Sequence, residues 1–127
     1  MKLSPFVLEW IRRAEQDYKM GLYALKHASL SEQACFHAEQ LAEKYLKSFL
    51  MVREVKFPKT HHLLTLVRLC SEQEASFDEL KESTLFLDQL YLESRYPSEL
   101  HAFTPQESKK AFQLAKRIRK FVLDRLK

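Results

Sequence analysis

An arginine and a histidine stand six positions apart in Arg95-Tyr96-Pro97-Ser98-Glu99-Leu100-His101, the joint between two strongly apolar-periodic segments. Arg presents a planar, permanently charged fork that matches phosphoryl oxygens. His is the side chain whose ordinary pKa lets it give and take protons near neutrality. Together they suit chemistry at a phosphate, and a loop fixed by rigid helices can hold both without spending either on the core. The spacing also recurs by chance. Arg95 at a helix end serves equally to meet the last carbonyls, and His101 reads equally as an exposed loop residue. Lys44 and Lys47 are the further candidates for binding. With His37 and Glu43 they fall on one broad side of a long helix, where the Glu43–Lys47 spacing also supports an i,i+4 ion pair.

The elements that must position these groups are helical. The chain of 127 residues has one glycine, and Leu outnumbers Val, Ile and Thr combined, so it lacks the turn residues and β-branched runs of a sheet. A single domain over residues 1–127 is expected, long enough to bury a core without disulfides. Ser4-Pro5 is a helix start, and the first helix runs to about His27 with Val7, Trp10, Ala14, Tyr18, Leu22 and Leu25 inward. Gly21 within it costs roughly 1 kcal/mol relative to Ala, which close helix packing would justify. The second helix spans about Ser31 to Glu54 on a seam of Ala34, Ala38, Leu41, Ala42, Tyr45, Phe49 and Val52.

A short third segment from Leu63 to Cys70 is capped by Thr60 or its neighbour, the polar run Ser71 to Ser76 reads as a loop, and a fourth helix runs from about Phe77 to Ser94. Pro97 biases Tyr96 away from helical geometry. Thr104-Pro105-Gln106-Glu107 is a capping box that opens the last helix, buried through Ala111, Leu114, Ala115, Ile118, Phe121 and Val122. The pattern predicts an all-α, up-and-down four-helix bundle with one additional short helix.

Charge and cysteine usage narrow the function classes. Cys35 and Cys70 have no CxxC partner and read as buried or half-buried free thiols of a reducing, cytoplasmic compartment. No stretch approaches the roughly 20 apolar residues of a membrane span. His61 and His62 are adjacent, so on a helix they point apart, and no metal site or cofactor is expected. The net charge is +4, with eight Lys or Arg between Lys109 and Lys127 against Asp124 alone. That face attracts nucleic acid or is simply a solvated surface with its lysines and arginines exposed.

The chain resembles the HEPN domain proteins of prokaryotic toxin–antitoxin and minimal nucleotidyltransferase systems. The likeness rests on Trp10, Ala14 and Asp17, on the run from Ala34 to Lys47, on Pro58 to Leu63, and on Arg95-Tyr96-Pro97 ahead of His101. It implies a bundle that dimerises and a metal-independent ribonuclease, with Arg95 on the scissile phosphate, His101 as acid or base, and Tyr96, Lys44 and Lys47 as binding residues. The partners it implies are a second copy, RNA or a nucleotide, and a nucleotidyltransferase-type antitoxin. The sequence departs from the toxin pattern at Tyr96, where many members have a small polar residue, and at Phe103, where some carry a modifiable Tyr. A noncatalytic nucleotide- or partner-binding HEPN subunit is therefore the alternative.

Overall fold

The computed structural model describes residues 2–95 and 102–126, with the side chains of 93–95 outside that description. It contains α1 (Pro5–Leu25), α2 (Ser31–Val52), α3 (Leu63–Gln73), α4 (Lys81–Arg95) and α5 (Pro105–Arg125), and the described residues form no strand. The all-α bundle expected from the periodicity is the fold observed.

The axis of the bundle is α2, against which α1, α3, α4 and α5 all pack. Its seam of Ala34, Ala38 and Ala42 lets neighbouring backbones approach, and Leu41, Tyr45, Leu46, Phe49 and Leu50 fill the centre at 0% exposure. A helix buried nearly all round is the signature of such a central position. It ends where Glu54 takes φ 57°, letting the Val55 amide return 2.9 Å to the Leu50 carbonyl. The helix thus stops two residues short of the position its pattern suggests.

On α1, Ser4 accepts from the Val7 amide at 3.2 Å with Pro5 in the first turn. Of the predicted stripe, Val7 and Ala14 are buried, Trp10, Tyr18 and Leu25 are half-buried and Leu22 is 37% exposed, while Gly21 and Ala24 beside it are buried. Leu22 is therefore no core residue. Gly21 sits beneath Phe112 of α5, where an added Cβ would lie 2.0 Å from the ring, so the close packing inferred for it is real.

Two further boundaries differ from the sequence reading. The polar run after Cys70 is mostly helical: α3 continues to Gln73, Glu74 is extended, and a 3-10 segment spans Ala75–Leu80 before α4 begins at Lys81. Glu74 makes that bend useful, since its carboxylate receives Arg125, Arg53 and the Ser76 hydroxyl. Thr60 does accept the His62 amide at 3.0 Å, but the amino end of α3 is closed by Asp88 of α4.

Candidate functional site

Arg95 is the last residue of α4, and α5 opens at Pro105. The second boundary is set firmly. Thr104 accepts the Glu107 amide at 3.1 Å while the Glu107 carboxylate accepts the Thr104 amide at 3.0 Å, the reciprocal capping box read from the sequence. The Arg95 side chain, Tyr96 and His101 lie outside the described residues.

The frame leading to Arg95 carries an internal chain of polar groups. Tyr91, one helical turn before Arg95, faces the His61 ring with centroids 5.5 Å apart. His61 Nδ1 lies 2.9 Å from a Glu43 carboxylate oxygen, and the other oxygen of Glu43 accepts from Lys47 Nζ at 3.0 Å. An ionised carboxylate requires a proton on Nδ1, so Glu43 fixes the imidazole's tautomer and orientation. Glu43 is 5% exposed and Lys47 8%, with the ammonium 6.0 Å from the Trp10 ring centroid and 5.8 Å from that of Phe57. One turn earlier, Glu39 is 2% exposed, receives Gln40 at 2.9 Å on one oxygen and has no partner on the other among the described residues. Burial, reinforced by the Glu43 charge, pushes its carboxyl up to about 8.

Lys44 belongs elsewhere. Its ammonium binds Asp17 of α1, whose other oxygen is 2.8 Å from His37 Nδ1. The broad polar side of α2 read from the sequence thus splits: His37 and Lys44 pair with Asp17 of α1, and Glu43 pairs with Lys47 and with His61 just before α3. Residues 43 and 44 are about 100° apart on a helix of 3.6 residues per turn, enough for different neighbours to claim them.

A third cluster joins the ends of the fold. Arg119 of α5 grips Glu15 of α1 with two bonds, 2.7 and 2.8 Å, and the Tyr45 hydroxyl donates to the same carboxylate. The Arg119 guanidinium holds Glu15 below the usual carboxylate range, and burial, with Glu15 accepting its hydroxyl proton, raises the Tyr45 phenol. Arg125 pairs with Glu74. These two arginines are half-buried, contrary to the expectation that the basic residues of the last helix are all exposed.

Sequence reading passed over Glu39, Asp88, Glu15 and Arg119. Glu39 and Asp88 each carry a signal, an acid on a helix face otherwise filled by apolar residues. Cys35 and Cys70 are free and buried, and burial pushes each thiol up to about 12, which leaves essentially no thiolate at neutral pH. Among the described residues no group of three or more His, Cys, Asp or Glu is placed to hold a metal ion, and no helix is long and apolar enough to cross a membrane.

Comparison with known proteins gives the chain its place. The HEPN domain family matches residues 7–126. The crystal structure of ST0689, an archaeal HEPN homologue, is similar with TM-score 0.78 and 28% identity, covering 100% of both chains. TT1696 from Thermus thermophilus is similar with TM-score 0.76 and 28% identity, over 93% of this chain and 96% of that one. No curated protein matches. With the family match running over nearly its full length, this chain belongs to the HEPN family.

Proposed function

We propose that this HEPN protein is a metal-independent ribonuclease that works as a homodimer and is the toxin of a pair whose antitoxin is a nucleotidyltransferase-type protein. The observation that carries the reading is the position of the Arg/His pair within a HEPN chain. Arg95 ends α4 and His101 precedes the Thr104 capping box by three residues, so both belong to the stretch that runs from the end of α4 to the capped start of α5.

Arg95 binds the scissile phosphate and stabilises the charge that grows on its oxygens. His101 withdraws the proton from the ribose 2′-hydroxyl, which attacks phosphorus to give a cyclic phosphate. The symmetry-related His101 delivers a proton to the departing 5′-oxygen. Two copies of the segment facing one cleft supply both roles. The nucleophile makes the substrate RNA rather than DNA. Tyr96 contacts the substrate beside Arg95, whereas Lys44 and Lys47, each bound to a carboxylate, act through the frame.

The test is cleavage of a labelled single-stranded RNA by purified protein in EDTA. Expected are 2′,3′-cyclic phosphate ends and a rate reduced about 10² to 10⁴-fold in His101→Ala. Cleavage that needs a divalent metal, or that survives His101→Ala, overturns the assignment. RNA or nucleotide binding without cleavage, lost on Arg95→Ala, replaces it with the noncatalytic subunit.

A further inference from the structure

Helices α1 and α5 both lie on α2 and meet where Gly21 and Tyr18 pack on Phe112 and Glu15 binds Arg119, and the seam opens on either side of those contacts. Toward the start of α1 it widens into a hollow of about 520 Å³, floored by Leu3, Ile11, Tyr18 and Leu123. Toward the start of α5 a second hollow of about 410 Å³ is lined by half-buried Leu25, by Gln113 and by the edge of the buried Phe112 ring. Lys116 lines both, so the two hollows adjoin at that residue. The middle of the seam is rigid: the Tyr18 and Phe112 rings stack with an interplanar angle of 2°, and the Arg119 guanidinium, fixed by Glu15, sits 4.3 Å from the Tyr18 centroid.

One edge of this seam is strongly cationic. Lys109, Lys116 and Lys120 fall at spacings of seven and four along α5, a single helical stripe, and all three are exposed. Across the seam Lys19 is close enough to Glu15 to lower its pKa. The one acid among the lining residues is Asp124, 4.0 Å from Lys120 at the far end. Lys19, Lys109 and Lys116 form no ion pair among the described residues.

We propose that the α1/α5 groove is a docking site for an acidic amphipathic helix of a partner protein. Lys109 to Lys120 spans roughly 16 Å at 1.5 Å per residue, the reach of about three turns. The occupant lays apolar residues at i, i+4, i+7 and i+11 onto the floor and sets Asp or Glu against the lysine stripe. An RNA strand uses the stripe but leaves the apolar floor wet. A small ligand fills one hollow and gives no role to the other. The site needs neither Arg95 nor His101, so it stands or falls apart from the ribonuclease reading.

The test is fluorescence anisotropy of the full chain with a labelled helical peptide of about 16 residues, carrying Leu at those four positions and Glu on the flanks. Controls are a scrambled peptide of equal composition, a single-stranded RNA and anionic phosphatidylglycerol vesicles. Expected is binding of the patterned peptide alone through the groove, weakened by salt. It should weaken about tenfold or more in Lys109→Glu/Lys116→Glu/Lys120→Glu, weaken in Leu3→Ser, and be unchanged in His101→Ala. Equal binding of the scrambled peptide overturns the proposal, as does affinity unchanged by the triple reversal. RNA or vesicles binding more tightly through the same lysines overturns it in favour of a polyanion surface. A second copy of this chain occupying the groove, seen as loss of self-association in the triple variant, overturns it in favour of an interface between copies.

Discussion

Asp88 of α4 closes the amino end of α3, its two carboxylate oxygens accepting the Leu63 amide at 2.8 Å and the Leu64 amide at 3.0 Å. A cap delivered from another helix does what a local Ser or Thr ordinarily does. It also ties the short helix to the element that ends in Arg95. Burial raises the Asp88 carboxyl despite both amides, so desolvation costs more than the two bonds return in ionising it. Asp88→Ala should cost about 1–2 kcal/mol, measured by urea unfolding. Asp88→Asn, which keeps one acceptor and discards the desolvated charge, should cost less. An equal or larger loss in Asn would show that the charge itself stabilises the cap.

Gly21→Ala tests the α1/α5 seam. Ala is better than Gly in a helix by roughly 1 kcal/mol, and Gly21 has no positive φ, so propensity alone predicts stabilisation. The new Cβ would meet Phe112 Cε1 at 2.0 Å, however, and Phe112 is 1% exposed and stacked on Tyr18. The ring must move within a packed core, a cost of about 1–3 kcal/mol. A lowered melting temperature is expected, with recovery when Phe112→Leu is added. A raised melting temperature in the single variant would show that the ring yields freely.

Glu39 makes stability depend on pH. Its folded pKa of about 8 lies above the ordinary value of 4.5. Below the ordinary value both folded and unfolded chains hold the proton and nothing is lost. As pH rises the unfolded chain ionises first, so stability falls progressively until the folded carboxyl also ionises near pH 8. Glu39→Gln retains a bulk and an acceptor for Gln40 without the titration. It should match the wild type at pH 4 and exceed it by about 1–3 kcal/mol at pH 8, read from denaturant midpoints at the two pH values. A constant difference across that range would mean that Glu39 is hydrated when ionised.

Glu54 occupies the left-handed region at φ 57° at the end of α2. For a residue with a Cβ this costs roughly 1–2 kcal/mol. Its amide bonds the Met51 carbonyl at 3.1 Å, and any residue can make that bond. Glu54→Gly should therefore stabilise the fold by up to about 1 kcal/mol, seen as a higher melting temperature. No gain would mean that the freedom of glycine in the unfolded chain cancels the relief.

The parts of this fold that could be read beforehand were those coded locally. Ser4-Pro5 and Thr104-Pro105-Gln106-Glu107 announce helix starts because capping depends on residues within one turn, and the structure has both caps. The α2 seam was legible because a central helix repeats its small and apolar residues for many turns. Asp88 could not be assigned to α3, nor Arg119 to Glu15, because residues 24 and 104 positions apart meet only through the packing of the bundle. The Ser71–Ser76 stretch misled for a related reason. Arg125, brought from 51 positions later in the chain, fills the bend at Glu74, so polar composition there marks an ion pair rather than a loop. Arg95 and His101 were chosen by residue type, position and family likeness; the described residues include the end of α4 at Arg95 and the capped start of α5 but neither the Arg95 side chain nor His101.

Lys47 separates a residue that holds the frame from one that holds a ligand. It was selected by sequence as a binding residue, yet its ammonium is 3.0 Å from Glu43, which also orients His61 beside Tyr91 of α4. Removing one member of a buried pair leaves the other charge uncompensated, a loss of about 3–5 kcal/mol. Lys47→Met should therefore lower the urea midpoint sharply. Lys47→Met/Glu43→Gln should restore much of the loss, because no bare carboxylate remains. RNA or nucleotide affinity, measured on the stable double variant, should stay within about threefold of wild type if Lys47 acts only through the fold. Full stability in Lys47→Met together with a large loss of affinity would instead return Lys47 to the ligand.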